Sequence, residues 1–105
     1  MSRTGEEKSG ASTKTYTAAL AACYLFALVL SEDKTLQEEL MKVPENMQQV
    51  FEMEQVIKEL APRYRFMEEC FVMARGINHA TAHEAALKIA ETSYVGARPY
   101  SVAEF

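Results

Sequence analysis

The sequence predicts an α/β fold, represented here mostly by helices with one short central parallel strand at about residues 70–74. Long stretches with apolar residues at helical spacing predict the helices. A short apolar run between charged residues, followed by a glycine, predicts the strand and a tight turn. The 105 residues are 49% hydrophobic and 25% charged, which suits one small globular core and excludes disordered and collagen-like classes. A net charge of −4 argues against a basic nucleic-acid face.

The first predicted helix runs from about Thr13 to Leu30, after a polar loop over residues 1–10. Ser12 or Thr13 can cap this helix, because a hydroxyl accepts a hydrogen bond from N–H groups left unpaired at a helix start. Residues 18–30 are uninterrupted apolar residues, a pattern that predicts a helix buried on nearly all sides.

The same apolar run predicts neither a membrane span nor a secretory signal. It is shorter than the roughly 20 residues that a span needs. Leu20-Ala21-Ala22-Cys23 looks like a lipoprotein cleavage box, but most of the run follows Cys23, and Glu6 and Glu7 precede it. Cys23 and Cys70 lack metal-ligand spacing and suit buried thiols. We therefore expect a cytoplasmic protein.

Two further helices are predicted in the middle of the chain. Thr35 with Glu38 forms a capping-box pattern that starts a short helix, with Leu36, Leu40 and Val43 on its buried side. Pro44 suits the first turn of the next helix, which Ala61-Pro62 ends. This second helix has a broad apolar face made by Met47, Val50, Phe51, Met53, Ile57 and Leu60.

A strand–glycine–helix step follows. Residues 70–74 read as a strand with both faces buried, and Gly76 permits the turn into the next helix. Thr81 with Glu84 can cap that helix, which continues to about Tyr94, and residues 95–105 read as a loop. Ligands of open α/β sheets bind beyond the carboxyl ends of strands, so we expect an anion at the start of this helix.

Three charged residues of this helix share one face. Glu84, Lys88 and Glu91 stand at i, i+4 and i+7. One interpretation is a solvated row of ion pairs, which the spacing alone favours. The other is a general base whose pKa the lysine tunes, as proton abstraction next to a carbonyl requires. The spacing does not decide between the two interpretations.

Two histidines of the helix, His79 and His83, also stand four residues apart. Imidazoles at this spacing can share a metal ion, but no third convergent ligand is evident. Local hydrogen bonding at the helix start is the favoured interpretation, so no metal site is predicted.

Two motifs resemble the sugar isomerase (SIS) domain family. Ala74-Arg75-Gly76 and the segment from Ala80 to Tyr94 are similar to Gly-Arg-Gly followed by Ala-x-Glu-x-Ala-Leu-Lys-x-x-Glu-x-Ser-Tyr. The segment from Gly5 to Thr17 resembles Glu-x-x-Val-Ala-Ser-Thr-Lys-x-Phe/Tyr-Thr. Both patterns are typical of the isomerase half of glutamine–fructose-6-phosphate transaminases and of related glucosamine-6-phosphate deaminases. The resemblance therefore implies an α/β fold of the SIS type.

The resemblance also implies residue roles. Glu91 matches the carboxylate that carries a proton between adjacent sugar carbons, and Lys88 and Glu84 match neighbours that orient groups around the open-chain sugar. Ala11 and Ser12 match residues that contact the sugar phosphate. No cofactor and no metal is implied. The implied partners are a sugar phosphate and, in the parent family, a second copy in a homodimer, with no nucleic acid and no membrane.

By this resemblance the chain is expected to be an internal fragment. Residues 1–66 would be the C-terminal helical part of a first SIS lobe with a linker, and residues 67–105 the truncated start of a second lobe. The family's Ser/Thr-rich phosphate loop, its His-Gly-Pro segment and its glutamine-hydrolysing half have no match in these residues. Ala74 also replaces the first glycine of Gly-Arg-Gly.

The expected function is the phosphosugar-binding part of an aldose–ketose isomerase or aminotransferase acting on fructose-6-phosphate or glucosamine-6-phosphate. We expect this part to be inactive by itself. Transaminase, deaminase and deglycase activities remain open. The alternative is a non-catalytic helical module whose apolar faces, at residues 18–30 and 47–60, pack on a partner protein.

Overall fold

The computed structural model describes residues 5–6 and 10–104, and divides into two compact units between Pro62 and Arg63. Residues 1–4 and 7–9 lie outside the described residues. Much of the predicted N-terminal loop falls on them, and so does part of the SIS-like motif from Gly5 to Thr17. The assignment of residues 1–66 and 67–105 to two SIS lobes remains a prediction.

The N-terminal unit consists of three helices: α1 (Thr13–Ser31), α2 (Lys34–Phe51) and α3 (Glu54–Leu60). Helix α1 ends where Glu32 takes a left-handed conformation (φ 54°) and donates its N–H to the Leu28 carbonyl at 3.1 Å. A single 3-10 turn, Ala61–Tyr64, follows α3.

The prediction that the first helix is buried on nearly all sides is wrong for this structure. Within α1 only Leu28 is buried, with 8% of its surface exposed, whereas Phe26 and Leu30 are 68% and 70% exposed. The physical reason is that α1 packs against α2 along a single stripe, and one neighbouring helix cannot cover a helix that is apolar all round. By length and composition alone α1 is also apolar enough to cross a membrane.

The predicted starts of the middle helices are wrong as well. Asp33, not Thr35, caps α2: its Oδ1 accepts the N–H groups of Thr35 at 2.8 Å and Leu36 at 3.3 Å. Pro44 lies inside α2 rather than starting a helix. Inside a helix proline removes one backbone hydrogen bond and its ring crowds the carbonyl four residues earlier, so Pro44 weakens α2 locally.

The predicted continuous helix to Leu60 is interrupted after Phe51. The N–H of Met53 donates to the Val50 carbonyl at 3.1 Å, which forms a turn, and α3 starts at Glu54. The apolar face predicted for this segment stays largely open to solvent, with Val50 60% and Ile57 57% exposed.

The C-terminal unit is a β–α–β unit made of β1 (Glu69–Ala74), α4 (Asn78–Ser93) and β2 (Gly96–Ser101). The two strands are parallel and pair in register from Glu69 opposite Gly96 to Ala74 opposite Ser101. Helix α4 lies on the sheet through small residues, since Ala82 and Ala86 are only 3% and 2% exposed.

The predicted strand is confirmed, but the prediction that both of its faces are buried is wrong. Phe71 and Met73 are 47% and 52% exposed and alternate with the half-buried Cys70, Val72 and Ala74. One helix covers only one face of a two-stranded sheet, so the residues of the other face remain in contact with solvent.

The loop predicted over residues 95–105 is also wrong over most of its length, because residues 96–101 form β2. Gly96 and Pro99 are turn signals in a local reading of the sequence. Pro99 lies opposite Val72 in the second strand of this two-stranded sheet, where a residue without an N–H is tolerated. Pairing with a strand more than twenty residues away overrides the local signal.

The turn between β1 and α4 is formed as predicted. Gly76 has φ +59°, a conformation that residues with a side chain rarely adopt. Helix α4 starts at Asn78, so Thr81 lies within the helix and the predicted Thr81–Glu84 capping box is wrong. The helix ends near the predicted Tyr94, which adopts a left-handed conformation (φ 59°).

Candidate functional site

The three charged residues predicted on one face of α4 form a connected ion-pair cluster. Lys88 Nζ lies 2.9 Å from Glu91 Oε2 and 3.3 Å from Glu84 Oε1. The side chains of Glu84 and Lys88 are 22% and 19% exposed, and that of Glu91 is 36% exposed. The prediction that these residues share one helix face is confirmed, and we call them the carboxylate–lysine cluster.

The two carboxylates strengthen the hold of the lysine on its proton. The hydrogen bond from Lys88 to Glu91 raises the pKa of Lys88 above its ordinary value of 10.5, and Glu84 raises it further, against partial desolvation, which lowers it. Lys88 is therefore an ammonium ion at neutral pH. It can donate hydrogen bonds and balance negative charge, but it cannot act as the base.

The position of the cluster follows from the packing of α4. Because successive residues of a helix are 100° apart, Glu84, Lys88 and Glu91 lie on the side opposite Ala82 and Ala86. Ala82 and Ala86 are the buried residues of α4, so the sheet fixes the orientation of the cluster and leaves it outside the packed interface. Two carboxylates with a lysine between them are suited to proton transfer at a bound polar substrate.

The two residues predicted to contact a phosphate, Ala11 and Ser12, lie in the N-terminal unit, directly before α1. The Ala11 carbonyl accepts the N–H of Thr13 at 3.1 Å. Ser12 occupies the N-cap position of α1, but its hydroxyl accepts no N–H of the helix, so the predicted side-chain cap is wrong. With a ψ of 85°, Ser12 lies outside the usual extended cap conformation.

The start of α4 is less open to an anion than the sequence suggests. The N–H of Asn78 donates to the Arg75 carbonyl at 3.3 Å, and that of His79 donates to the Gly76 carbonyl at 3.0 Å. Two of the N–H groups that a helix start offers to an anion are therefore used within the turn.

The histidine pair is also brought together by α4. The rings of His79 and His83 meet edge to face, with centroids 4.8 Å apart. Among the described residues, no group of three or more His, Cys, Asp or Glu side chains is placed to hold a metal ion.

A shallow depression of about 200 Å³ lies beside the end of β1 and the first turns of α4. Two polar residues, Asn78 and Thr81, are part of its lining, although no sequence motif indicates them as site residues. The strand–glycine–helix step indicated this region, since ligands gather at the carboxyl ends of strands. The other lining residues are Val72, Met73, Ala74, Ala82 and Ala85.

The known proteins that are similar in sequence to this chain include several enzymes of the same name. The chain is 39% identical over 111 aligned residues to the glutamine–fructose-6-phosphate aminotransferase (isomerizing) of Methanosarcina acetivorans, covering 97% of this chain. It is 38% identical to the enzyme of that name from Thermococcus kodakarensis and 31% identical to that from Clostridium tetani, each over 95% of this chain. The chain is homologous to a segment of these aminotransferases.

The resemblance stated from the motifs is thereby confirmed. The chain spans about 18% of the length of the curated aminotransferases that it matches, which is consistent with a piece of their isomerase half. No profile of a known protein family matches the chain. The two parallel strands and the helical remainder are compatible with an SIS-type fragment.

Proposed function

We propose that this chain is the phosphosugar-binding part of an SIS-type aldose–ketose isomerase or aminotransferase acting on fructose-6-phosphate or glucosamine-6-phosphate in the cytoplasm. The observation that carries the proposal is the carboxylate–lysine cluster of Glu84, Lys88 and Glu91, joined by contacts of 2.9 Å and 3.3 Å. The names of the homologous enzymes support the substrate class, since they act on fructose-6-phosphate.

The proposed mechanism assigns the proton transfer to Glu91. A carboxylate removes the proton from the hydroxyl-bearing carbon next to the sugar carbonyl, which gives an enediolate. It returns the proton to the former carbonyl carbon, while a proton moves from the one oxygen to the other. Lys88, held as an ammonium by both carboxylates, donates a hydrogen bond to the oxygen on which negative charge develops. Glu84 positions Lys88 from the opposite side. From the resemblance alone, Ala11 and Ser12 of the N-terminal unit are proposed as residues that contact a sugar phosphate.

The isolated chain is proposed to bind a sugar phosphate weakly and to turn none over. Binding is tested by an NMR titration with glucosamine-6-phosphate, with glucosamine and inorganic phosphate as controls. We expect amide shifts around Lys88 and Glu91 only with the complete ligand, and their loss in Lys88→Met. Lys58→Met is a matched control, because Lys58 forms an i, i+4 ion pair with Glu54 on α3.

The outcomes separate the parts of this proposal. No shift at millimolar ligand, or equal loss of binding in Lys58→Met and Lys88→Met, contradicts a sugar-phosphate site at the cluster. Measured isomerisation of fructose-6-phosphate by the isolated chain contradicts its proposed inactivity alone.

A second candidate function is a non-catalytic helical interaction module. The exposure of Phe26, Val29 and Leu30 on α1, at 68–73%, favours it, because contiguous apolar surface of this kind marks contact sites. A thermal shift separates the two functions. A ligand that binds the folded chain stabilises it by RT ln(1 + [L]/Kd), whereas a pure interaction module gains nothing from a sugar phosphate.

A further inference from the structure

The two histidines of the chain meet on one flank of α4. His79 and His83 are four residues apart, and both lie within this helix. Their rings are in contact, with centroids 4.8 Å apart and planes at 74° to each other. His79 is half-buried and His83 is exposed, so solvent has access to one side of the contact. We call these two residues the histidine pair.

The separation of the two rings is that of imidazoles that share a metal ion. Zinc binds an imidazole nitrogen at about 2.0–2.1 Å, which places the ion about 3.2 Å from the ring centroid. At a near-tetrahedral angle, two rings on one ion then have centroids about 5 Å apart. The 4.8 Å in this structure matches that separation. The last torsion of a histidine side chain is broad, so both rings can turn a nitrogen toward one ion without movement of the backbone.

The backbone of the histidine pair is held in place by contacts that do not involve the rings. The N–H of His79 donates to the Gly76 carbonyl at 3.0 Å, which closes the first turn of α4. Ala82, directly before His83, is only 3% exposed, and α4 packs on both strands. An ion that binds to an element already fixed by packing has little backbone to order, which favours binding.

Nitrogen ligands select the class of ion. Imidazole suits Zn²⁺, Ni²⁺ and Cu²⁺, whereas Mg²⁺ and Ca²⁺ take oxygen ligands. Among the described residues, no third His, Cys, Asp or Glu joins the pair, and Glu84, next to His83 in sequence, is held by Lys88 at 3.3 Å. Two protein ligands are fewer than the four of a structural zinc site, so water fills the other positions and the ion exchanges with solution.

We propose that the histidine pair is a two-ligand binding site for a divalent transition-metal ion of the zinc class, at the start of α4. The bound ion joins the first two turns of the helix and stabilises the C-terminal unit by mass action. At 100° per residue, His79 and His83 lie on a different side of α4 from Lys88. The site is therefore separate from the carboxylate–lysine cluster, and it does not depend on the proposed sugar-phosphate function.

A zinc titration followed by NMR of the imidazole ring protons tests the site, because the chain has two histidines to assign. The titration uses a tag-free Cys23→Ser chain, since Cys23 is an exposed thiol that also binds zinc. We expect the ring signals of both histidines to shift together and to saturate at one ion per chain. His79→Gln and His83→Gln should each weaken binding by about tenfold or more, because a single imidazole loses the chelate. Circular dichroism verifies that both variants keep their helices.

A register control separates the histidine pair from histidine content. Ala80→His combined with His83→Ala keeps two histidines but places them at adjacent positions, which do not face each other on a helix. Ala80 is exposed, so the exchange leaves the packed side of α4 unchanged. We expect zinc to bind this variant as weakly as it binds His83→Gln, and Mg²⁺ to shift neither histidine of the Cys23→Ser chain. Equal zinc affinity of the Cys23→Ser chain and the register variant, a shift confined to one histidine, or an equal shift with Mg²⁺ overturns the proposal.

Discussion

The two units of the chain bury apolar residues through different kinds of contact. In the C-terminal unit, β1 and β2 pair in parallel and α4 covers one face, with Ala82 and Ala86 almost fully buried. In the N-terminal unit three helices bury only Leu28, while many large apolar side chains face solvent. The stability of the C-terminal unit depends on contacts between residues distant in sequence. The stability of the N-terminal unit depends mainly on interactions within each helix.

This difference also shows where a site can be built. A catalytic arrangement needs side chains on an element whose orientation is fixed by packing. Helix α4 meets that requirement, because its alanines fix it on the sheet and leave Glu84, Lys88 and Glu91 together on the other side. In the N-terminal unit the apolar side chains of α1 and α2 are suited to contact with other surfaces instead.

The largest effect is expected at the helix–sheet contact of the C-terminal unit. Ala86→Leu inserts a larger side chain where 2% of the surface is exposed, and overpacking of this kind costs about 1–3 kcal/mol. Amide hydrogen exchange of β1 and β2 should accelerate accordingly. Ala80→Leu is the control, because Ala80 is an exposed residue of the same helix. Equal acceleration in both variants would show that α4 does not pack on the sheet through Ala86.

The next largest effect is expected at the turn that joins β1 to α4. Gly76 has φ +59°, and a Cβ added there meets no atom within 4 Å, so the cost of Gly76→Ala comes from backbone strain alone. We expect a loss of about 1–2 kcal/mol in the C-terminal unit. Gly10→Ala is the control, because Gly10 has no positive φ and also has open space around it. If the two substitutions cost the same in thermal unfolding, strain at Gly76 does not limit stability.

The sequence was sufficient for features that depend on local spacing. The Gly76 turn, the strand at Cys70 to Ala74, and the shared face of Glu84, Lys88 and Glu91 follow from a few adjacent residues, and the structure contains them. The strand β2 was missed, because Gly96 and Pro99 indicate a turn locally and only pairing with β1 makes them a strand. The burial of α1 is smaller than its sequence predicts for a related reason. An apolar helix is buried only where other elements cover it, and in this structure α2 covers one side of α1.

A smaller effect is expected at the start of α2, where Asp33 and not Thr35 is the cap. Asp33→Ala removes the acceptor for the N–H groups of Thr35 and Leu36, and loss of a cap costs about 1 kcal/mol. Thr35→Ala, the change that a Thr35 cap would have made costly, should cost less. Helix content by circular dichroism during thermal unfolding compares the two. A greater loss of thermal stability from Thr35→Ala than from Asp33→Ala would show that Thr35, and not Asp33, is the main cap of this helix.

The smallest effect on stability is expected in the carboxylate–lysine cluster, where it appears as a pH dependence. Because folding raises the pKa of Lys88 above 10.5, its contribution to stability is complete below that pH and is lost as the pH rises through the raised pKa. Glu91→Gln should lower the pKa of Lys88 more than Glu84→Gln does, since the Glu91 contact is the shorter one and the largest cause of the shift. A ¹³C NMR titration of the lysine Cε measures both variants. If Glu84→Gln lowers the pKa of Lys88 more than Glu91→Gln does, Glu84 is the main partner of the lysine and Glu91 is the weaker one.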